Sequence, residues 1–323
     1  MRPARVRNAA AFQKHAAPLA TRRDRTARTV CTLHLDVAWT LDAVLNCDEG
    51  VTPSLRHTLD HLIRNAVIAS AVYRRETAST NSDALAELQT NRIDDRLLPR
   101  LYVADRQTAG RGRHGNAWIS EEDALAFSLV IPFELTHPSA SVLSPAVGVA
   151  AARAIEFSCP PCRVALKWPN DICARRSNGS TTSPTLHKLG GILIETNATI
   201  AGRMVIGVGL NLNGKPELNS QHSTPPASIA EIANRLVSRE TLLAAHAESL
   251  AEMLGELDDG PDEMIRQYRS RCALAGHDLS LKQSHQTITG YCTGIADDGS
   301  LELIVDGNRR HFRSGEVQRV RPT

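Results

Sequence analysis

QTAGRGRHGNAW, residues 107–118, is the stretch that says most about the fold of this chain. Between Gly110 and Gly115, three glycines alternate with two arginines and a histidine. Glycine tolerates backbone angles that other residues avoid, so such a loop can turn several N–H groups toward one anion. Arginine adds permanently charged donors that suit phosphate and carboxylate. The loop is therefore predicted to clamp an anion, and the rest of the chain decides which one.

Length and composition predict a globular protein of two or three domains. The chain has 323 residues, 42% of them hydrophobic. It has no run of about 18 apolar residues, so we expect no membrane span. Its seven cysteines are odd in number and scattered through a chain too large to need disulfides. This usage is typical of a reducing compartment, and we expect a cytoplasmic protein.

The positive charge is concentrated at the N-terminus. Residues 1–30 contain eight lysines and arginines and one acid, Asp24, whereas the remainder is mildly acidic. Nucleic-acid enzymes are more often basic throughout, so a nucleic-acid partner is not expected. The basic segment has no apolar core and is not a secretory signal. We interpret it as a disordered extension in preference to an organelle transit peptide.

Apolar periodicity predicts three regions, namely a partly disordered extension at 1–66, a mixed domain at 67–272 and a small domain at 273–323. Predicted helices are 54–67, 81–88, 144–157, 231–237, 240–257 and about ten residues after Pro261. Predicted strands are 68–74, 101–105, 125–131, 164–168, 189–196 and 204–212. The polar segment 174–187 is predicted to be a loop. Asp298-Gly299 and Asp306-Gly307 are hairpin signals, so residues 277–321 are predicted to be all-β with five or six strands.

Four further motifs accompany the glycine loop in a fixed order. They are Ser79-Thr80-Asn81, Lys167-Trp168-Pro169-Asn170-Asp171, the segment KLGGILIE at 188–195 and the segment GVGLNL at 207–212. Each is modest alone, but the ordered set resembles the biotin protein ligases over about residues 68–321. The resemblance implies an α+β fold, with a mixed sheet and flanking helices like those of class II aminoacyl-tRNA synthetases. It also implies a C-terminal SH3-like β-barrel, in line with the all-β prediction.

The resemblance implies a two-step ligation that uses ATP, Mg²⁺ and biotin. The biotin carboxylate attacks the α-phosphate of ATP, giving biotinyl-5′-AMP, and a lysine of a biotin carboxyl carrier protein then attacks this anhydride. Phosphoryl transfer needs positioning and charge neutralisation more than a nucleophile. The implied partners are this carrier, part of acetyl-CoA carboxylase, and a possible second copy that pairs through the catalytic domain.

The resemblance assigns biotin to residues of several motifs, each of which has a structural reading as well. Ser79 and Thr80 could simply cap a helix, and Trp118 could be a core residue. The full biotin set is Ser79, Thr80, Gln107, Gly110, Arg111, Gly112, Trp118, Lys188, Gly191, Leu193 and Gly207. Gly190 and Gly191 are expected to let a ligand approach the backbone, and Gly207 and Gly209 to form the floor beneath biotin.

The resemblance also implies which residues act on the nucleotide. Lys188 is the main catalytic candidate, because an ammonium can neutralise charge on the α-phosphate. Arg113 and Asp171 complete the catalytic set, and Asp171 could bind magnesium or accept a proton. The ATP-binding set is Arg113, His114, Lys167, Asn170 and Asn211. We assign no protein metal site and expect the phosphates to carry most of the Mg²⁺ coordination.

Some positions depart from the family pattern. His114 and Asn116 stand where arginines are frequent, so the loop is less basic. Gly315-Glu316-Val317 matches a C-terminal signature, but the expected downstream arginine falls on Val320. Arg319 or Arg321 could replace it.

Two other functions stay open at this stage. One is a lipoate or octanoate ligase of the same fold, and the other is a biotin-sensing DNA-binding repressor. Residues 1–67 contain one predicted helix and no recognition-helix pair, which disfavours the repressor. Cys159-Pro160-Pro161-Cys162 has redox spacing, and with Cys173 could bind metal, but no fourth ligand is evident.

Overall fold

The computed structural model describes residues 44–90, 93–119, 123–176, 185–196, 202–217, 224–283 and 286–319. All of them belong to the compact unit Trp39–Thr323. The predictions for residues 1–43, including the basic segment, lie outside the described residues.

An eight-stranded mixed sheet organises the first domain. Its strands lie in the order β1-β2-β3-β6-β10-β9-β8-β7, with β1, β2 and β3 parallel and the other neighbours antiparallel. The strands are β1 Leu45–Cys47, β2 Ser70–Thr77, β3 Arg100–Gln107, β6 Ala124–Pro132, β7 Val164–Lys167, β8 Asp171–Arg176, β9 Thr185–Glu195 and β10 Arg203–Asn211. The glycine loop forms a separate small hairpin from β4 Gly110–Arg111 and β5 Ala117–Trp118.

Helices flank this sheet and bury their apolar faces against it. They are α1 Pro53–Arg64, α2 Thr80–Gln89, α3 Leu143–Ser158, α4 Ile229–Ala233, α5 Arg239–Asp258 and α6 Asp262–Arg271. Helix α3 packs against α5 and α6. The segment Ala140–Ser158 has the length and hydropathy of a membrane-crossing helix, but 67% of it is buried inside the protein. Its small apolar residues therefore fill the core of the domain.

The C-terminal region folds into a five-stranded antiparallel sheet in the order β14-β13-β12-β11-β15. The strands are β11 Asp278–Gln283, β12 Gln286–Ile295, β13 Leu301–Val305, β14 Asn308–Phe312 and β15 Glu316–Arg319. Gly299 and Gly307 both have φ of +77°, as the two predicted hairpin turns require. The predicted mixed sheet with flanking helices and the predicted small β domain are both confirmed.

The structure shifts the predicted boundary at residue 66. Strand β1 pairs with β2 in the main sheet, and α1 packs against α5. Leu55, Leu59 and Leu62 of α1 are buried in the main core. Residues 45–64 are therefore part of the first domain, because an amphipathic helix with three buried leucines needs that layer to cover it.

The predicted loop at 174–187 is also wrong at both of its ends. Residues 174–176 continue β8, residues 185–187 begin β9, and Arg176 pairs with Thr185. Residues 177–184 lie outside the described residues. The two strands are antiparallel neighbours, and backbone pairing extends them past the apolar residues that periodicity detects.

Candidate active site

A cleft of about 1090 Å³ opens between the main sheet, the glycine hairpin and the C-terminal domain. It brings together sixteen of the predicted site residues, namely Ser79, Thr80, Gln107, Arg111, Gly112, Arg113, His114, Trp118, Lys167, Asn170, Asp171, Lys188, Gly191, Leu193, Gly207 and Asn211. Gly110, the one remaining residue, lines a neighbouring hollow of about 690 Å³. Segments as far apart in the chain as Ser79 and Val317 thus meet in one cavity.

The glycine hairpin is shaped by its backbone. The N–H of Gly112 donates to the carbonyl of Asn116 at 2.7 Å, and the N–H of Asn116 donates to the carbonyl of Arg113 at 3.1 Å. His114 and Gly115 are both left-handed, with φ of 56° and 78°. A Cβ on Gly110 would stand 2.4 Å from the Trp118 carbonyl oxygen. The hairpin therefore closes only with glycine at 110, and that glycine serves the protein's own packing.

A buried polar chain occupies one end of the cleft. Oε1 of Gln107 accepts hydrogen bonds from the backbone N–H of Thr80 at 2.8 Å and from its hydroxyl at 3.1 Å. Ser128 Oγ lies 2.7 Å from Thr80 Oγ1 and 2.5 Å from Asn81 Oδ1. Ser79 precedes α2, but its side chain makes no capping hydrogen bond. Helix capping therefore does not explain Ser79, which instead faces the cleft.

The glycines of β10 make room for side chains of the protein itself. A Cβ on Gly207 would stand 2.2 Å from Asn81 Oδ1, and one on Gly209 would stand 2.6 Å from Trp118 Cε2. These glycines let Asn81 and Trp118 lie flat on the sheet. They were expected to form the floor beneath biotin, and the structure places two protein side chains on that floor.

Gly190 and Gly191 differ, although they are adjacent. A Cβ on Gly190 would collide with the Gly209 carbonyl oxygen at 2.3 Å, so this glycine is needed for sheet packing. A Cβ on Gly191 would have its nearest contact, the Lys188 side chain, at 3.7 Å. Of the two, only Gly191 lines the cleft. The expected approach of a ligand to both glycines therefore fits Gly191 alone.

The other end of the cleft holds a charge cluster around Asp171. Lys188 Nζ lies 2.6 Å from Oδ1 of this carboxylate, and Lys167 Nζ lies 3.7 Å from Oδ2. Lys167 also donates to the Thr224 hydroxyl at 3.0 Å. Burial lowers the pKa of Arg113, and the Asp171 carboxylate opposes that shift. Two lysines thus contact one carboxylate and Arg113 lies within its electrostatic influence, which leaves an excess of positive charge for a polyanion.

A β-bulge allows Lys188 to face the cleft together with Gly191. Ile172 pairs with Gly190 and Cys173 pairs with Lys188, so Leu189 is the extra residue in β9. Alternation in a regular strand would put residues three apart on opposite faces. The bulge brings Lys188 onto the same face as Gly191, and the extra residue Leu189 is buried at 1% exposure.

The two loop arginines lie in different surroundings. Arg113 is close enough to Asp171 to feel its charge, whereas Arg111 pairs with Glu195 at 2.5 Å. Glu195 is seven residues after Lys188 in β9. Because Leu189 is the bulged residue, this is about six strand steps, a span of roughly 20 Å at about 3.3 Å per residue. The pair of clamping cations expected from the sequence is therefore divided, and Arg113 is the one near the Asp171 charge cluster.

The predicted nucleotide-reading amides hold the strands in place. Asn170 Nδ2 donates to the Ile192 carbonyl at 2.8 Å. Asn211 Nδ2 donates to the carbonyls of Lys188 at 3.3 Å and Ala227 at 3.2 Å. Both side chains therefore position β9, and the contact with ATP remains a prediction for both.

Neither metal nor redox chemistry is supported at the cysteines. Within the described ranges no three His, Cys, Asp or Glu residues form a metal-binding group. Cys159 and Cys162 are buried, and burial raises the pKa of both thiols, which opposes thiolate chemistry. Cys173 lies in a separate buried cluster.

Several residues in the cleft or in contact with its lining were not predicted from the sequence. Ser128 is fully buried in the apolar strand β6 and contacts Thr80 and Asn81, which line the cleft, and a lone hydroxyl in such a strand was a usable signal. Lys282 and Glu316 reach the cleft from the C-terminal domain and pair across β11 and β15. Lys282 has no signal in its local sequence, whereas Glu316 belongs to the Gly315-Glu316-Val317 signature but was not assigned to the site. The alternatives for the C-terminal arginine, the Arg319 and Arg321 side chains, lie outside the described part of the chain.

Two family models match this chain, one in the first domain and one in the C-terminal domain. The model of the biotin/lipoate A/B protein ligase family matches residues 76–211, and that of the biotin protein ligase C terminal domain matches residues 280–320. A Biotin–[acetyl-CoA-carboxylase] ligase of Paracoccus denitrificans is 30% identical over 252 residues, covering 75% of this chain and 97% of that protein. The chain belongs to the biotin protein ligase family.

Other relatives agree with this placement. The Mycobacterium tuberculosis protein of the same name is 28% identical over 251 residues, covering 76% of this chain and 87% of the relative. The solved biotin protein ligase of Aquifex aeolicus, in complex with biotin and ATP, has a TM-score of 0.64 at 23% identity. That alignment covers 78% of this chain and 99% of the other. The family fold thus extends over both domains.

Proposed function

We propose that the protein is an ATP-dependent biotin protein ligase, which forms biotinyl-5′-AMP and transfers biotin to a lysine of a biotin carboxyl carrier protein in the cytoplasm. The observation that carries the proposal is the polarity of the cleft. Buried neutral hydrogen-bonding groups line one end, and three cations around one carboxylate line the other. A urea ring suits the first end, and a nucleotide phosphate suits the second.

In the first step, a biotin carboxylate oxygen bonds to the α-phosphorus of ATP, and the bond from that phosphorus to pyrophosphate breaks. The reaction concentrates negative charge on the phosphates. Lys188, Lys167 and Arg113 are cations already placed at that end of the cleft, so they stabilise this charge without reorganisation. Both Asp171 oxygens face lysines, which favours a role in holding the ammonium groups.

In the second step, a lysine amine of the carrier attacks the anhydride carbonyl, and AMP leaves. The amine must lose a proton, and Asp171 is a carboxylate at the required end of the cleft. The hairpin covers this end with Gly112 and Arg113, which line the cleft. A covered anhydride is protected from water and from lysines of other proteins.

The residues fit a magnesium ion that arrives with the nucleotide. Mg²⁺ usually keeps several waters and binds through one or two carboxylates together with substrate phosphates. Asp171 is a protein carboxylate at this end of the cleft, but both of its oxygens face lysines, so the ATP oxygens would supply most of the ligands. When bound, Mg²⁺ neutralises phosphate charge.

The decisive experiment compares acids in pyrophosphate exchange. Purified protein is incubated with ATP, Mg²⁺, labelled pyrophosphate and either biotin, lipoate or octanoate. Exchange is expected with biotin, because the Thr80–Gln107 end of the cleft presents hydrogen-bonding groups that suit a ureido ring. Exchange with lipoate or octanoate and none with biotin would assign the protein to that other branch of the family. Incubation with a biotin carboxyl carrier domain, followed by a streptavidin blot, tests the second step.

The repressor alternative is not supported. Residues 45–64, formerly counted with the N-terminal extension, are packed into the ligase domain. No helix pair suited to a major groove occurs among residues 44–67. A gel shift with the upstream DNA of its own gene, with and without biotin, is expected to show no specific complex.

A further inference from the structure

The base of the glycine hairpin is fixed by a carboxylate that neither step of the proposed reaction uses. Glu195 Oε1 lies 2.5 Å from Arg111 Nη2, and Oε2 accepts a hydrogen bond from Asn81 Nδ2 at 2.9 Å. The Glu195 side chain is 18% exposed. One oxygen therefore contacts the hairpin and the other contacts helix α2, so a single side chain joins the two walls.

Glu195 also continues the polar chain that begins at the opposite wall. Asn81 contacts Ser128, Ser128 contacts Thr80, and Thr80 contacts Gln107, all within 3.1 Å. Most of these groups are buried, where an unsatisfied partner is costly. A ligand that bonds to Thr80 or Gln107 therefore acts on the same connected set of groups that holds Arg111.

The geometry points to Glu195 as a positioning residue that holds the hairpin over the cleft. This inference rests on the proposed function. Alternation places Glu195 on the face of β9 that carries Gly191 and Leu193, but roughly 20 Å along the strand from Lys188, about six steps at about 3.3 Å each past the bulge. It is too distant to act on the reacting phosphate. Its loss frees the hairpin and leaves the Lys188–Asp171 pair in place.

The test is Glu195→Gln, which keeps the size of the side chain and its hydrogen bond to Asn81 but removes the charge that holds Arg111. The KM for biotin and the dissociation rate of biotinyl-5′-AMP are each expected to rise on the order of five-fold, the usual size for a partly exposed ion pair. The kcat of adenylate formation is expected to change by less than about two-fold, because the phosphate end is untouched. Glu195→Asp, which keeps the charge, should restore part of the loss.

Glu76→Gln provides the matched control. Glu76 pairs with Arg106 at 2.9 Å across β2 and β3, and both side chains are more than half exposed. This control removes the same charge near the hairpin but breaks no bridge to it. Its KM and adenylate dissociation rate are expected to equal those of the unmodified protein.

Hydrogen exchange provides a measurement that does not depend on activity. In the ligand-free protein, Glu195→Gln should speed amide exchange at Gly112 and Asn116, whose N–H groups close the hairpin, and leave α5 unchanged. Arg111→Gln should speed amide exchange at the same two residues by the same amount. The double variant should exchange no faster than either single variant, because both substitutions break the same ion pair. If the unmodified protein shows no biotin-dependent pyrophosphate exchange, that result would refute the proposed function and not the role of Glu195 in holding the hairpin. If the active protein keeps a normal KM, adenylate dissociation rate and hairpin amide exchange in Glu195→Gln, the role of Glu195 is refuted. Should that variant not fold, the same normal values in Arg111→Gln, which breaks the same ion pair, would refute it.

Discussion

Lys188→Ala removes one of three cations at the phosphate end of the cleft. Lys188 Nζ stands 2.6 Å from Asp171, and the remaining close lysine, Lys167, is 3.7 Å from the same carboxylate. Loss of one preorganised charged donor typically slows a reaction by about 10²–10³, or roughly 3–4 kcal/mol in the barrier. We expect a loss of this size in biotin-dependent pyrophosphate exchange. The Lys188 side chain is 34% exposed. The cost in unfolding free energy is therefore expected to stay below about 1 kcal/mol.

The chain contains a matched control for this variant. Lys215 pairs with Glu231 at the same 2.6 Å and is 41% exposed, but it does not line the main cleft. Lys215→Ala should lose a similar small amount of stability and keep normal exchange. Exchange rates and urea unfolding curves are measured for both variants. Exchange by folded Lys188→Ala within about three-fold of the unmodified protein would refute the role of Lys188.

Three further predictions concern the hairpin, the paired glycines and a buried histidine. Arg113→Gly is expected to release biotinyl-5′-AMP early and so biotinylate bystander lysines on a streptavidin blot; unchanged adenylate dissociation would contradict the clamp. Gly190→Ala should destabilise the protein by about 1–3 kcal/mol in urea unfolding, because its Cβ would meet backbone. Gly191→Ala should keep normal stability and raise the KM for biotin. Equal unfolding curves for Gly190→Ala and Gly191→Ala would contradict the different packing of the two glycines. His246 is fully buried, and burial lowers its pKa to about 3. The unfolded chain therefore binds the extra proton first, and stability falls as pH drops from about 6.5 toward 3. His246→Leu should remove up to about 2 kcal/mol of the unfolding free energy that is lost between pH 6.5 and 5. An unaltered pH dependence of stability in this variant would contradict the assignment to His246.

Most predicted helices and strands between residues 68 and 271 occur near their predicted bounds, because their apolar periodicity matches the faces that they bury. The helix predicted at 231–237 is displaced to Ile229–Ala233. The domain boundary predicted at residue 66 and the ends of the loop predicted at 174–187 were wrong for the same reason. Strand β1 is held by backbone pairing with β2, and the ends of β8 and β9 are held by pairing with each other, and such pairing leaves little trace in side-chain type.

The structure brings nearly all of the predicted site residues into one cleft, whereas several of their contacts differ from the expected ones. Sixteen of the predicted residues meet in the cleft, because motif order specifies which strand ends come together. Their contacts, however, divide Arg111 from Arg113 and assign Gly190, Gly207 and Gly209 to packing within the protein. Glycine in a sequence indicates a close approach, and only the fold shows whether the approaching group is a ligand or the protein itself.

The glycine-arginine loop and its accompanying motifs thus determined the family, the two-domain fold and the identity of the cations, since these depend on residue types in a fixed order. Tertiary structure decided where each charge acts. The bulge at Leu189 turns Lys188 toward Asp171, and the end of β9 brings Glu195 to Arg111. Both depend on strand register between segments far apart in the chain, and register is a property of the assembled sheet.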